Sequence, residues 1–230
     1  MPEKPELVSL GDVWPRMGFS QLPGPLLDVL KTFLRRCGPD HDPPGQKPDA
    51  QSLYFDQVDR WNRVFVPAVT EDVAKRILAK TPVVPAYHRC SIAGISFKLG
   101  TNQHVTVAPT DIIWRWPYYQ FAYTVVWALM FHEPNTVLAQ PRYLFSQLLQ
   151  VWERIYGNVQ ELDDQGERKQ HVQWLALAVL ERMCGIKHDI QQGAPHYLTN
   201  IKNRSWERVK LFQFAVDYLL ERSCALLLTK

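Results

Sequence analysis

A chain of 230 residues has the size of one ordinary domain. At 46% hydrophobic and 21% charged, its composition excludes the disordered and collagen-like classes. A formal charge of +3 is weak: it neither demands nor excludes a nucleic-acid partner. Cys37, Cys90, Cys184 and Cys224 are too scattered for a dense disulfide framework. The opening MPEKPELVSLGDVWP has no basic stretch followed by an apolar one, so no signal peptide is expected. Together these features predict a reduced, soluble, intracellular protein.

Residues 1–23 carry Pro2, Pro5, Pro15 and Pro23, a spacing that no helix crosses. Leu7, Val8, Leu10, Val13, Trp14 and Phe19 give that stretch apolar side chains. It is expected to be an extended arm that docks on something, a neighbouring subunit included. Residues 24–230 are expected to form a single, mostly helical domain. Its first helix is predicted over 25–37, because Pro25 suits the first helical position and Gly38 a left-handed stop. The stretch GPDHDPPGQKPDA, 38–50, reads as an exposed loop. The following QSLYFDQVDRWNRVF, 51–65, is ambiguous between helix and irregular structure. Thr70 suits the cap of a helix over 70–80, with Glu71 and Asp72 in its first turn.

Between 82 and 109 the period changes. Ile95, Phe97 and Leu99 alternate with polar residues, GTNQ follows, and HVTVA alternates again. The pattern predicts one β-hairpin, with 87–92 as a possible third strand. From 117 onward the pattern is helical. Helices are expected over 117–131, 141–156, about 167–184 with Gly185 as the stop, and from Ser205 to near the C-terminus. In the second of these, Leu144, Leu148, Val151, Trp152 and Ile155 make one stripe. The expected fold is therefore mainly α: a helical-bundle-like domain with one small β-hairpin, about 86–108, packed against it.

The most apolar stretch is WRWPYYQFAYTVVWALMFHEPN, 114–135. A helix across a bilayer needs roughly 20 consecutive apolar residues. The segment between Pro117 and His132 is shorter and includes Gln120 and Thr124. A helix apolar on nearly every face is expected at the centre of a soluble bundle. No membrane partner is expected.

No motif diagnostic of catalysis or metal binding is present, so no cofactor, metal or catalytic residue is nominated. His88 with Cys90 and Cys184 with His188 have ligand chemistry, but they stand about a hundred positions apart without finger spacing. HEPN, 132–135, lacks the second histidine of a zinc protease helix. Arg182 and His188 in RMCGIKH have a spacing similar to that of helical ribonucleases, one that arises easily by chance.

Two segments suit nucleic acid. HYLTNIKNRSWERVK, 196–210, is basic, with Lys202, Arg204, Arg208 and Lys210; Asn203 and Trp206 lie between. It leads into a helix start, where anions are favoured. A second patch is His88, Arg89 and Lys98 around the hairpin, with Arg115 nearby in sequence. Around Arg115, the rings of Trp114, Trp116 and Tyr119 suit base stacking, as does Trp206, although buried packing is the commoner fate of such rings.

The expected function is largely sequence-independent binding to an RNA or DNA backbone, without catalysis, as a subunit of a larger assembly. The alternative is a protein-interaction adaptor without nucleic acid. Third is a small helical enzyme using His88, His132 or His188.

Overall fold

The computed structural model describes residues 7–12, 24–35, 41–62, 76–88, 90–98, 105–107, 111–131, 143–157, 165–193 and 206–228. The architecture is mainly α with small antiparallel sheets, in keeping with the pattern of the sequence.

The sheets differ from expectation in their partners. Ile95–Lys98 (β3) and Val105–Val107 (β4) form the predicted hairpin, with Ile95 opposite Val107 and Phe97 opposite Val105. Ile95 and Phe97 are buried, as their alternation requires. The third strand is not 87–92. It is Leu7–Ser9 (β1), antiparallel to β3 with Leu7 opposite Lys98. This piece of the N-terminal arm therefore packs on its own chain, and Leu10 just after it enters the core. Residues 1–6 and 13–23 of the arm lie outside the described residues.

Val84–Tyr87 (β2) instead pairs with Ile112–Arg115 (β5) as a separate two-stranded ribbon, and 92–94 is a 3₁₀ turn. Pro85 explains the separation. Proline cannot donate a ladder hydrogen bond, so it is tolerated where a strand keeps an open edge.

Gly24–Arg35 (α1) buries Leu27, Leu30, Phe33 and Leu34. Ala50–Asn62 (α2) makes 51–62 of the ambiguous segment helical, and 63–65 lie outside the described residues. Asp49 caps it, its Oδ1 accepting the Ser52 backbone N–H at 2.8 Å. The same bond holds the Asp49 carboxyl below its ordinary value. Of the helix expected over 70–80, 76–78 are helical and 70–75 lie outside the described residues. In the loop before α2, most of 41–49 is exposed, while Pro43 is buried.

The greasy segment is the hub of the core. Tyr119–Phe121, Ala122–Val126 and Trp127–Phe131 form one helical run, α3, whose middle piece is π-helical. Phe121, Ala122, Val125, Val126 and Ala128 are fully buried. Among the described residues, no helix is long and apolar enough to cross a membrane. Leu144–Tyr156 (α4) buries the whole predicted stripe. Its C-terminal end is tied to α1: Arg35 Nε donates to the Ile155 carbonyl at 2.6 Å, a cation at the negative end of a helix.

Gln165–Gln191 (α5) corrects the expected stop at Gly185. The helix continues for another six residues and ends before Gly193, whose φ is 70°. A glycine costs a helix interior about 1 kcal/mol relative to alanine. Burial of Met183, Cys184 and Ile186 on either side outweighs that cost. Trp206–Leu228 (α6) packs along α5 through Val209, Phe212, Ala215, Val216, Leu219 and Leu220.

Candidate functional site

The link between β5 and α3 concentrates the polar chemistry. Pro117 ends the ribbon, and Tyr118 turns the chain at φ 66°. A ring-bearing residue in the left-handed region costs about 1–3 kcal/mol, which surrounding contacts must offset. Tyr118 stacks edge-on against Trp152 and Tyr156, with centroids at 5.4 and 4.8 Å. Its hydroxyl shares a 2.5 Å hydrogen bond with His171 Nδ1. Burial pushes the His171 imidazole below its ordinary pKa, with nearby Glu167 opposing.

Two of the three charged groups beside this turn, Arg115 and Glu181, are joined. Glu181 of α5 accepts from Arg115 Nε at 3.1 Å on one oxygen and from Trp116 Nε1 at 2.5 Å on the other. Arg115 Nη1 also donates to the Trp114 carbonyl at 2.8 Å. A buried carboxylate with both oxygens engaged fixes β5, the turn and α5 together.

The third is Arg182. Its Cζ lies 4.2 Å from the Tyr123 ring centroid and 4.7 Å from that of Trp127. Those two residues are four apart on α3, Tyr123 in its π-helical piece and Trp127 at the start of the α-helical piece that follows. Arg182 is 8% exposed, and its Nε is buried with no hydrogen-bond partner among the described residues. Sequence reading named Arg182 only for its spacing to His188, similar to that of helical ribonucleases, and named neither ring. The i, i+4 spacing of Tyr123 and Trp127 was the available signal. Their position opposite residue 182 was not.

The nominated residues meet different fates. Trp116 is 0% exposed and Tyr119 is also buried, so neither ring has a face open to a base. Arg115 is neutralised by Glu181, which takes it out of the expected basic patch. Trp114 is half-buried, with the Lys47 ammonium 5.4 Å from its ring. Lys210 is exposed on α6. Arg208 and Trp206 lie in the first turn of α6 and Lys98 in β3, but their side chains are outside the described residues. So are Lys202, Asn203, Arg204, Arg89 and His132.

The two halves of the metal idea do not gather a ligand set. Among the described residues no group of three or more His, Cys, Asp or Glu could hold a metal ion. Cys90, Cys184 and Cys224 are free and buried. Burial pushes the Cys90 thiol up to about 12 and that of Cys224 to about 11, so neither is a ready nucleophile. His188 lies near Asp189, with Nδ1 3.6 Å from Oδ1.

A second surface lies on α6, opposite the face that packs on α5. Phe214 is 52% exposed, Leu228 42% and Leu211 37%. With half-buried Tyr218 and exposed Ala225 they fall at 211, 214, 218, 225 and 228. That is the a/d spacing of a helix-pairing seam, with Glu221 as its one charged position. No protein-family model, no curated protein and no solved structure matches this chain.

Proposed function

We propose that this chain is a non-enzymatic binding protein that works as a subunit of an assembly, with the outer face of α6 as its protein contact. The observation that carries the reading is the row of apolar side chains at Leu211, Phe214, Tyr218, Ala225 and Leu228, interrupted by Glu221. Single exposed apolar residues are ordinary on a surface, whereas a row at heptad spacing is matched to another helix.

The seam is complementary to itself. An antiparallel pairing with a second copy of the chain sets Leu211 opposite Leu228 and Phe214 opposite Ala225, large against small. The central layer sets the Tyr218 phenol against the Glu221 carboxylate. One helix pair lies at the low end of interface sizes, below about 1,200 Å² in total. The association is therefore weak and concentration-dependent. Sedimentation equilibrium tests it. The wild type should show a monomer–dimer equilibrium that Phe214→Glu abolishes without loss of helical signal. A wild type that stays monomeric at all concentrations sinks this reading.

A second reading retains nucleic-acid binding. Its support is Lys210, exposed on α6 just after Lys202, Arg204 and Arg208 in the sequence. Filter retention of random RNA should fall steeply with salt, as counterion release requires. It should be lost in the double variant Lys202→Glu, Arg204→Glu. Retention indifferent to salt, or unchanged in that variant, removes this reading.

A further inference from the structure

We infer that the cavity between α1, β2, α4 and the start of α3 is a binding site for one ordered water, held by the Gln120 amide and the Leu34 carbonyl. The site is independent of both readings above.

Gln120 stands in the first turn of α3 and is 5% exposed. Its Oε1 accepts the Tyr87 backbone N–H of β2 at 3.3 Å. That N–H faces away from β5. The next residue, His88, donates to the Asp111 carbonyl at 2.8 Å, and ladder bonds in an antiparallel pair fall on alternate residues. Gln120 therefore closes the outer edge of the ribbon at Tyr87 and ties it to the central helix. Because Tyr87 offers a donor, the amide oxygen must face it, which fixes the orientation of the amide. The other end of the same side chain, Nε2, is buried and meets no acceptor among the described residues. An amide donor out of water without an acceptor is costly, so such groups are ordinarily satisfied by protein or by an ordered water.

Gln120 lines a cavity together with Leu34 of α1, Ala86 of β2, Trp116 and Tyr118 of the turn, and Tyr156 of α4. About 20 Å³ there is open to the centre of a water-sized sphere, and one water takes about 10–15 Å³ on that measure. One water fits, and a ligand of several heavy atoms does not. A buried water needs roughly two to four polar partners. Gln120 Nε2 donates to it. Leu34 lies in the last turn of α1, where carbonyls have no intrahelical partner. Its oxygen accepts the Tyr156 hydroxyl at 3.2 Å and has a second lone pair for a water hydrogen. No charged side chain of the described residues lines the cavity, so neither a metal ion nor a small anion is matched to it. Wholly apolar cavities stay dry, whereas an amide donor in the wall selects water. The water completes a relay from ribbon to helix: Tyr87 N–H to Gln120 Oε1, Gln120 Nε2 to water, water to the Leu34 carbonyl.

Water-selective magnetic resonance of the full chain tests the site. The Gln120 side-chain amide protons should show a rotating-frame cross-peak to water, with the sign of proximity rather than of proton exchange. Ala86→Val fills the cavity from β2 and keeps the Gln120 amide. In that variant the cross-peak should vanish. The Tyr87 amide should then exchange with deuterium about fivefold faster, the loss of roughly one neutral hydrogen bond from the relay. The wild-type spectrum decides by itself should Ala86→Val fail to fold. A wild type without a proximity cross-peak at Gln120 overturns the site. So does a cross-peak that persists unchanged in folded Ala86→Val, because the water would then lie elsewhere.

Discussion

Glu181 and Arg182 are neighbours on one helix, and they have opposite circumstances. Glu181 is buried with a cation on one oxygen and an indole N–H on the other. Arg182 is buried almost as deeply, with two aromatic faces and no ionic partner among the described residues. The difference separates a charge balanced by an ion pair from a charge held against aromatic faces. Arg115 and its neighbour Trp116, both nominated from the sequence as part of a binding surface, are consumed internally.

The sharpest way to break this comparison is to remove one charge at a time and follow urea unfolding. Glu181→Ala strands the Arg115 guanidinium and the Trp116 N–H in the interior. It should cost about 3–5 kcal/mol, the usual penalty for removing one partner of a buried pair. Arg182→Met removes a cation–π attraction of about 0.5–2 kcal/mol together with the cost of a buried charge. Those effects oppose one another, so stability should move by less than about 1 kcal/mol. Equal losses in the two variants would erase the distinction.

The smallest expected effect concerns His171, which neither of these charges touches. Burial depresses its folded pKa below the ordinary 6.5. The neutral ring is then the form that the fold favours. Its contribution is present above 6.5 and is lost as pH falls through the depressed folded value. The melting temperature should therefore drop on acidification below 6.5, and His171→Gln should flatten that part of the profile. An identical slope in the variant would show that other groups carry the acid dependence.

Much of the scaffold was legible from local pattern. The stripe on α4 and the hub at α3 follow from apolar spacing alone, because burial of one helix face leaves a period in the sequence. The β3–β4 hairpin follows from alternation around a short polar turn. The partner of β3 was not legible, since β1 lies about ninety positions away and only three residues long. Gly185 misled because a local preference of about 1 kcal/mol yields to burial on both sides of it. The candidate site was the least legible part. Its basic segment at 202–204 lies outside the described residues, and two of its four proposed stacking rings, Trp116 and Tyr119, are core.

By itself, the sequence determined the class of fold, the central helix and the residues able to carry charge or ring surface. Periodicity and composition are local properties, readable one segment at a time. Only tertiary structure decided which charges are spent. Arg115 and Glu181 meet across 66 positions, and Arg182 reaches Tyr123 and Trp127 across a similar span. Whether an arginine is ion-paired or stacked on rings depends on what packing brings to it, and no local spacing encodes that.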